Sequence, residues 1–186
     1  MYFEETGLPW VLPSPNMPTV ETAVVYPGQC LLEGTNLSEG RGTTRPFELC
    51  GAPWFDAQAL VARLNAARLP GAAFRAAWFV PTFQKHAGLE CGGVQMHVTD
   101  RHAFQSVRAS LALLAACREL SGGAFAWRTD TYEFVSDPIA FDLLFGSSRE
   151  RLALEEGTPW RDIAAVWEPE ERAFAERRRA FLSYPD

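Results

Sequence analysis

The chain has 186 residues, of which 47% are apolar and 22% are charged, and its formal net charge at pH 7 is −6. This length suffices for one well-packed domain, and the composition is that of an ordinary globular protein. The negative net charge argues against a nucleic-acid-binding protein, which usually carries a basic face. No apolar run is long enough to cross a bilayer, so the sequence predicts no membrane span.

The N-terminal segment is rich in proline, with five of the 13 prolines in residues 1–28. Because proline fixes φ and biases the preceding residue toward extended backbone, residues 7–18 are predicted to form a connector. The apolar pair Leu31-Leu32 then predicts a short strand that leads into a polar segment.

That polar segment, residues 33–44, is called the first polar loop. It contains three glycines, five hydroxyl or amide side chains, two carboxylates, one arginine and one leucine. Three glycines would cost roughly 1 kcal/mol each in a helix relative to alanine, so neither a helix nor a strand is expected. Two interpretations remain open, a binding loop held between buried segments or an ordinary surface turn.

Helix and strand signals alternate after this loop. Asp56 is a suitable N-cap for a helix whose apolar positions fall on one face, and Leu69-Pro70-Gly71 ends it. Residues 74–80 are rich in aromatic and β-branched residues and predict a strand. Residues 94–98 alternate as a half-buried strand does, and Thr99-Asp100 is predicted to cap the clearest helix.

The C-terminal third is predicted to be helical. Asp137-Pro138 places a capping residue and a first-turn proline at the start of a short helix that Gly146 ends. Thr158-Pro159 is the same combination and predicts the start of a further helix. A last helix over residues 170–182 is predicted to bury Phe174 and Phe181. Together these signals predict a single domain of α/β class with α+β character, in which a small mixed sheet packs against several helices.

The cysteines and histidines give no sign of a metal centre or another cofactor. The four cysteines lie far apart in the sequence, without the close-set ligand pairs of a zinc site. Only a fold-dependent meeting of Cys91, His97 and a further ligand would produce a metal site, and buried free thiols are the expected alternative. We therefore predict no metal and no cofactor.

Within the first polar loop, Arg41 and Glu33 are the strongest candidates for chemistry. The Gly40-Arg41-Gly42-Thr43 run lacks the lysine and the spacing of a phosphate loop, which argues against a nucleotide site. An arginine between glycines can reach a ligand oxygen bidentately or form a salt bridge with Glu33 or Glu39. Glu33 could act as a general acid or accept a sugar hydroxyl.

Shorter polar residues and a second segment complete the candidate site. Asn36, Ser38 and Thr43 offer the donors and acceptors that a carbohydrate needs. Residues 81–93, called the second polar loop, connect two predicted strands and contain Lys85 and His86. This connection is too long for a tight hairpin, so it either faces the first polar loop or is a mobile surface loop.

Several separated motifs resemble the exo-β-N-acetylmuramidase family of the NamZ type, long catalogued as a domain of unknown function. They occur in the family's order and cover nearly all of the chain: Thr6-Gly-Leu-Pro-Trp10, Pro13-Ser-Pro-Asn16-Met-Pro-Thr19, Tyr26-Pro-Gly28, Glu33-Gly-Thr-Asn36, Ser38, Gly40-Arg41-Gly42-Thr43, Pro46-Phe47, Gly51-Ala-Pro-Trp54, Phe79, Pro81, Phe83 and Lys85.

The resemblance implies a bacterial enzyme that releases N-acetylmuramic acid from the non-reducing ends of peptidoglycan fragments during cell-wall recycling. Family members combine a Rossmann-like N-terminal domain with a C-terminal α/β domain, and their cleft is thought to lie between the two. With the residue chemistry above, we predict that Glu33 has a catalytic role and that Asn36, Ser38, Arg41, Thr43, Lys85 and His86 bind the substrate.

The first motif normally lies in the middle of such a chain. We therefore interpret residues 1–21 as the connector from a missing N-terminal domain and residues 22–186 as the C-terminal domain. A truncated chain of this kind would contribute one wall of an interdomain sugar site and would be inactive alone. Any export signal would precede the missing domain, so both cytoplasmic and exported locations stay open. The alternative is a stand-alone, non-catalytic carbohydrate-binding or structural domain.

Overall fold

The structure is a computed structural model that describes residues 2–183. The chain divides into two compact units, Met1–Ser148 and Arg149–Asp186. The strands are β1 (Leu49–Ala52), β2 (Ala72–Phe79) and β3 (Cys91–Val98), and the helices are α1 (Val20–Gln29), α2 (Ala57–Ala66), α3 (Ser106–Leu120), α4 (Ala140–Phe145), α5 (Arg149–Glu155), α6 (Trp160–Ala165) and α7 (Glu168–Arg178). Short 3₁₀ helices span Phe3–Thr6, Cys30–Gly34 and Arg179–Phe181.

The sheet of the first unit has the order β1-β3-β2, with β3 in the centre. Both neighbours pair antiparallel with β3, in registers that include Cys50↔Val94 and Phe74↔Met96. The predicted α/β class and small sheet are confirmed, but the sheet is antiparallel throughout and not mixed. The strands predicted at residues 74–80 and 94–98 correspond to β2 and β3. The sequence did not predict β1, whose four residues are too few to show an alternation.

The predicted strand at Leu31-Leu32 is wrong, because these residues lie in the 3₁₀ helix Cys30–Gly34. Both leucines are buried. Two apolar residues are too few to show a periodicity, so their apolar character alone does not distinguish a strand from a 3₁₀ helix.

Helix α1 was not predicted, because Pro27 lies in its last turn and proline has no backbone N–H to donate to a helix. The Thr19 side chain caps the start of α1 by accepting from the Thr22 N–H. The other end is held against α3, since the Ser106 hydroxyl donates to the Val25 carbonyl at 2.7 Å and accepts from the Gly28 N–H at 2.8 Å.

The helix predicted after Asp56 is confirmed as α2, and the Asp56 carboxylate accepts from two backbone N–H groups of the first turn. The helix predicted after Thr99-Asp100 begins later, at Ser106, because Asp100 instead accepts from the N–H groups of His102 and Ala103 in a turn. Three cysteines are buried and free in this unit, as expected for packed thiols. They are Cys50, Cys91 and Cys117.

The predicted helix closed by Gly146 is α4, and Gly146 adopts the left-handed conformation at its C-terminus. Asp137 does not cap it, because α4 begins at Ala140 with Ile139 in the N-cap position. Upstream of α1, the connector is ordered locally by the Trp10 indole, which donates to the Pro18 carbonyl at 3.1 Å. The predicted division between residues 1–21 and 22–186 falls inside α1 and stays a prediction.

The second unit consists of α5, α6, α7 and the final 3₁₀ turn. Its buried apolar residues are Leu154, Ile163, Ala164 and Trp167, and the Trp167 indole donates to the Glu150 carboxylate at 3.0 Å. The predicted burial of Phe174 and Phe181 is wrong, since these side chains are 55% and 82% exposed. Helix α7 has no buried residue, so its aromatic positions do not form a core face.

Candidate functional site

The two polar loops contact each other through their backbones. The N–H and the hydroxyl of Thr82 both donate to the Gly42 carbonyl oxygen, at 3.0 and 2.9 Å. Gly42 has a φ of +80°, and a Cβ there would lie 2.7 Å from the backbone nitrogen of Phe83. Glycine is therefore required here both by the backbone conformation and by the close approach. This contact brings the charged side chains of both loops into one cluster.

Arg41 lies between the two carboxylates of the first polar loop. Its Nη2 donates to Glu33 Oε1 at 2.8 Å, and its Nε lies 3.2 Å from Glu39 Oε1. The guanidinium also lies over the Phe47 ring, 5.0 Å from the centroid. Both salt bridges that the sequence allowed are therefore formed.

Lys85 connects the second polar loop to the first. Its Nζ donates to Glu39 Oε2 at 3.0 Å and to the Leu32 carbonyl oxygen at 2.9 Å. The Glu39 side chain is only 3% exposed, so Arg41 and Lys85 take the place of water around its carboxylate. Glu33, Arg41, Glu39 and Lys85 form a chain of alternating charge, which we call the charged cluster.

The electrostatics of the cluster follow from partial burial and charge pairing. Burial lowers the pKa of Arg41, but the hydrogen bond and charge of Glu33 and the charge of Glu39 outweigh it, so the pKa is raised. Two carboxylates face two cations, so the cluster carries no formal net charge. It is therefore a balanced polar site and not a strong anion or cation attractor.

Tyr132 completes the hydrogen bonding of Glu33. Its hydroxyl donates to Glu33 Oε2 at 2.9 Å, so each oxygen of that carboxylate already accepts one hydrogen bond. Burial, followed by the Glu33 hydrogen bond and charge, raises the pKa of Tyr132. Burial and the Glu33 charge likewise raise the pKa of Tyr26. Sequence reasoning missed Tyr132, which lies 99 residues from Glu33 and in no recognisable motif.

His86 lies beside Trp54 at the same junction. Its Nε2 is 2.8 Å from the Asn36 carbonyl oxygen, which can only accept, so Nε2 carries a hydrogen and donates it to this oxygen. The two rings meet edge to face with centroids 5.2 Å apart. The Trp54 Nε1 is buried and has no hydrogen-bond partner within residues 2–183.

Asn36, Ser38 and Thr43 direct their polar groups to the backbone of this chain. The Asn36 amide donates to the Ala124 carbonyl and accepts from the Ala126 N–H. Ser38 pairs with Gly51 and accepts from the Gly40 N–H, and the Thr43 hydroxyl donates to the Gly40 carbonyl at 2.6 Å. Their predicted contact with substrate stays a prediction.

Known proteins are similar to this chain in sequence and in fold. A family model described as "Exo-beta-N-acetylmuramidase NamZ, C-terminal" matches residues 24–184. The chain belongs to this NamZ C-terminal family. It is 46% identical over 184 residues to the peptidoglycan β-N-acetylmuramidase NamZ of Bacillus subtilis (strain 168), which covers 99% of this chain and 42% of that protein.

Two solved structures of DUF1343 family proteins from Bacteroides fragilis NCTC 9343 have the same fold. One superposes with a TM-score of 0.85 at 26% identity and covers 100% of this chain and 48% of its own. The other superposes with a TM-score of 0.66 at 24% identity and covers 94% of this chain and 44% of its own. The present chain therefore spans less than half the length of the relatives that it matches.

The charged cluster of this NamZ C-terminal family member has unused hydrogen-bonding capacity. The Arg41 Nη1 group makes no hydrogen bond within the described chain, and Lys85 uses two of its three donors. A carboxylate has about four lone-pair sites, so Glu33 can accept a further donor at each oxygen. The described chain therefore leaves donors on Arg41 and Lys85 and acceptor sites on Glu33 unused.

Of the residues predicted for the site, Glu33, Arg41 and Lys85 meet in the charged cluster, and His86 lies next to it through the Asn36 backbone. Across residues 2–183, no group of three or more His, Cys, Asp and Glu residues is placed to hold a metal ion. Across the same residues, no helix is both long and apolar enough to cross a membrane.

Proposed function

We propose that this chain is the C-terminal part of an exo-β-N-acetylmuramidase and forms one wall of a sugar site that an N-terminal domain completes. The reaction is the release of N-acetylmuramic acid from the non-reducing ends of peptidoglycan fragments, as part of cell-wall recycling. Membership of the NamZ C-terminal family supports the reaction, and the coverage of 42% of the Bacillus subtilis relative supports a second domain.

The charged cluster is the observation that carries the proposal. N-acetylmuramic acid is a sugar that bears a carboxylate on its lactyl ether as well as ring hydroxyls. The free donors of Arg41 and Lys85 suit the carboxylate, and the remaining lone pairs of Glu33 suit a hydroxyl. Arginine can bind a carboxylate through two parallel hydrogen bonds, which fixes the orientation of the sugar.

The contacts of Glu33 favour a role in binding over a role as general acid. Glycosidases usually need one carboxyl that carries a proton and a second that acts as base or nucleophile. Glu33 is held by Arg41 and Tyr132, and it accepts a substrate hydroxyl without losing either partner. Glu39 is buried against Arg41 and Lys85, so it does not serve as the second carboxyl. We therefore expect the N-terminal domain to supply the catalytic pair.

The test is hydrolysis of a chromogenic β-N-acetylmuramide by this chain alone and by the full-length protein. We expect hydrolysis only by the full-length protein. In that protein, Arg41→Ala and Glu33→Ala should each lower kcat/KM by at least tenfold, because each loses an interaction worth about 1.4 kcal/mol or more.

The matched control is Arg63→Ala, which removes an exposed salt bridge to Glu119 and should leave kcat/KM unchanged. Hydrolysis by the chain alone would show that the site is complete without a second domain. Full activity in both Arg41→Ala and Glu33→Ala would overturn the assignment of the sugar site.

A second candidate is a stand-alone, non-catalytic carbohydrate-binding or structural domain. The internal hydrogen bonds of Asn36, Ser38 and Thr43 favour it, since they stabilise the first polar loop without a ligand. An open reading frame for a Rossmann-like domain directly upstream in the genome would favour the enzyme, and its absence would favour this candidate.

A further inference from the structure

The hairpin formed by residues 131–136 has an unusual turn. Tyr132 and Val135 exchange backbone hydrogen bonds of 2.9 and 2.8 Å, which makes Glu133 and Phe134 the two central residues. Both have positive φ, at 47° and 69°. Two-residue turns of this geometry normally use Asn-Gly or Gly-Gly, because a bulky side chain disfavours the left-handed region. A glutamate and a phenylalanine here break a local rule of turn chemistry.

Phe134 breaks a second rule, since its side chain is 98% exposed. A phenylalanine that is both in a disfavoured conformation and fully in water contributes nothing to the stability of the turn. Backbone strain that persists in this way is concentrated at functional sites, where the surrounding structure maintains it. The side chain therefore calls for a role outside the fold of this chain.

The hairpin is attached to the charged cluster. The Tyr132 hydroxyl donates to Glu33 Oε2 at 2.9 Å. The Arg128 guanidinium lies over the Tyr132 ring, 5.3 Å from the ring centroid. At the base of the hairpin, the hydroxyls of Thr131 and Ser136 lie 2.9 Å apart. Phe134 is two residues from Tyr132, so at most about 7 Å of backbone separates the tip from the residue that contacts Glu33.

The charge of Glu133 at the tip acts on the two tyrosines around Glu33. It is among the charges that raise the pKa of both Tyr26 and Tyr132. Since charge effects fall off with distance, the turn lies within electrostatic range of the residues around Glu33.

We propose that Phe134 is a stacking residue, which presents its ring to the apolar face of a pyranose in the peptidoglycan fragment while the charged cluster binds the polar groups. This inference rests on the proposed function. A pyranose has C–H-bearing faces and a hydroxyl-bearing rim, so a site for it needs an exposed aromatic ring beside hydrogen-bonding groups. The turn holds the ring two residues from Tyr132, whose hydroxyl contacts Glu33, and at 98% exposure no core contact competes for it.

Steady-state kinetics on the chromogenic β-N-acetylmuramide, with the full-length protein, test the inference. Phe134→Ala should raise KM by about tenfold, equivalent to about 1.4 kcal/mol, and leave kcat within twofold, because stacking stabilises ground state and transition state alike. Phe134→Trp keeps an aromatic face and should stay within threefold of the original KM. The control Phe181→Ala removes another exposed phenylalanine, 82% exposed, and should change neither constant.

A second variant separates binding from folding. Phe134→Gly removes the ring and also relieves the positive φ, so it should raise KM as Phe134→Ala does while raising Tm by about 2–4 °C. An unchanged KM in both variants would overturn the inference and leave the proposed function standing. An unchanged KM with a lowered Tm in Phe134→Ala would instead assign the ring to a contact within the protein, which also overturns it.

Direct binding of N-acetylmuramic acid, which keeps the free lactyl carboxylate, is measured calorimetrically and distinguishes failure of the function from failure of the inference. Binding that Phe134→Ala weakens tenfold, in a protein that does not hydrolyse the muramide, would overturn the proposed reaction and support the stacking role. A protein that neither binds nor hydrolyses would overturn both.

Discussion

Alanine at Gly42 should separate the two polar loops, and alanine at Gly88 provides a matched control. The two glycines have nearly the same backbone conformation, with φ of +80° and +77°. A Cβ at position 42 would lie 2.7 Å from the Phe83 nitrogen and 2.8 Å from the Thr82 nitrogen, whereas a Cβ at position 88 would meet nothing within 4 Å. The comparison therefore isolates the contact between the loops from the cost of left-handed backbone.

The expected magnitudes follow from these distances. Each variant places an L residue in the left-handed region, which costs about 1–2 kcal/mol. In Gly42→Ala the Cβ also meets backbone atoms that cannot rotate away, so the loops must move apart. That movement lengthens the bonds of 3.0 and 2.9 Å from the Thr82 N–H and hydroxyl to the Gly42 carbonyl, and each lost hydrogen bond adds about 1 kcal/mol. We expect Gly42→Ala to lose about 2 kcal/mol more than Gly88→Ala.

Equilibrium urea unfolding measures both free energies, and an unchanged m-value shows that unfolding exposes the same surface in both variants. The effect of alanine on the unfolded chain is common to both variants and cancels in the comparison. The same variants in the full-length protein should differ in activity, with Gly42→Ala raising KM because Lys85 and Arg41 move relative to each other. Equal losses of stability in the two variants would refute the close approach of the loops. Equal KM values would refute their joint contribution to a site.

Two further predictions concern the charged cluster and the buried thiols. In a double-mutant cycle measured by urea unfolding, Lys85→Ala and Glu39→Gln should show a coupling energy of about 1–2 kcal/mol. This value is expected because Glu39 is almost fully buried while Lys85 is 21% exposed. A coupling energy below about 0.5 kcal/mol would mean that the pair contributes nothing to stability. Burial, with the charge of Cys50, raises the pKa of Cys91 from 9.0 to about 11. The unfolded thiol therefore loses its proton first, so the contribution of Cys91 is complete below pH 9 and is lost as the pH rises to 11. Over that range the free energy of unfolding should fall by about 2–3 kcal/mol more in the wild type than in Cys91→Ala, and parallel pH profiles would refute the shift.

The sequence predicted those elements whose signals are local and repeated. Helix α2 has a capping aspartate and a one-sided apolar pattern, β2 is rich in aromatic residues, and residues 94–98 of β3 alternate. Helix α1 was missed because Pro27 is a strong local signal against a helix, and packing against α3 overrides it. The burial predicted for Phe174 and Phe181 failed because helical spacing shows which residues share a face but not whether another element covers that face.

The candidate site could be predicted only in part, for a related reason. The loops that contain Glu33, Arg41 and Lys85 were identified from their composition, since glycine and clustered charge mark them. Tyr132 was not, because its contribution depends on a contact across 99 residues and its own surroundings look like an ordinary turn. Phe134 was missed for the same reason, since its positive φ and exposure appear only in three dimensions.

Short and long side chains of the two polar loops have different roles, and the difference follows from how far each can reach. Asn36, Ser38 and Thr43 lie in a turning backbone, so their short side chains reach nearby carbonyl and N–H groups before they can reach a ligand. Arg41 and Lys85 are long enough to reach across to the other carboxylate or loop and still keep free donors. The short residues thus fix the loop that the long ones project from. In the proposed sugar site, a ligand would meet donors that folding has already ordered, and this preorganisation would lower the entropic cost of binding.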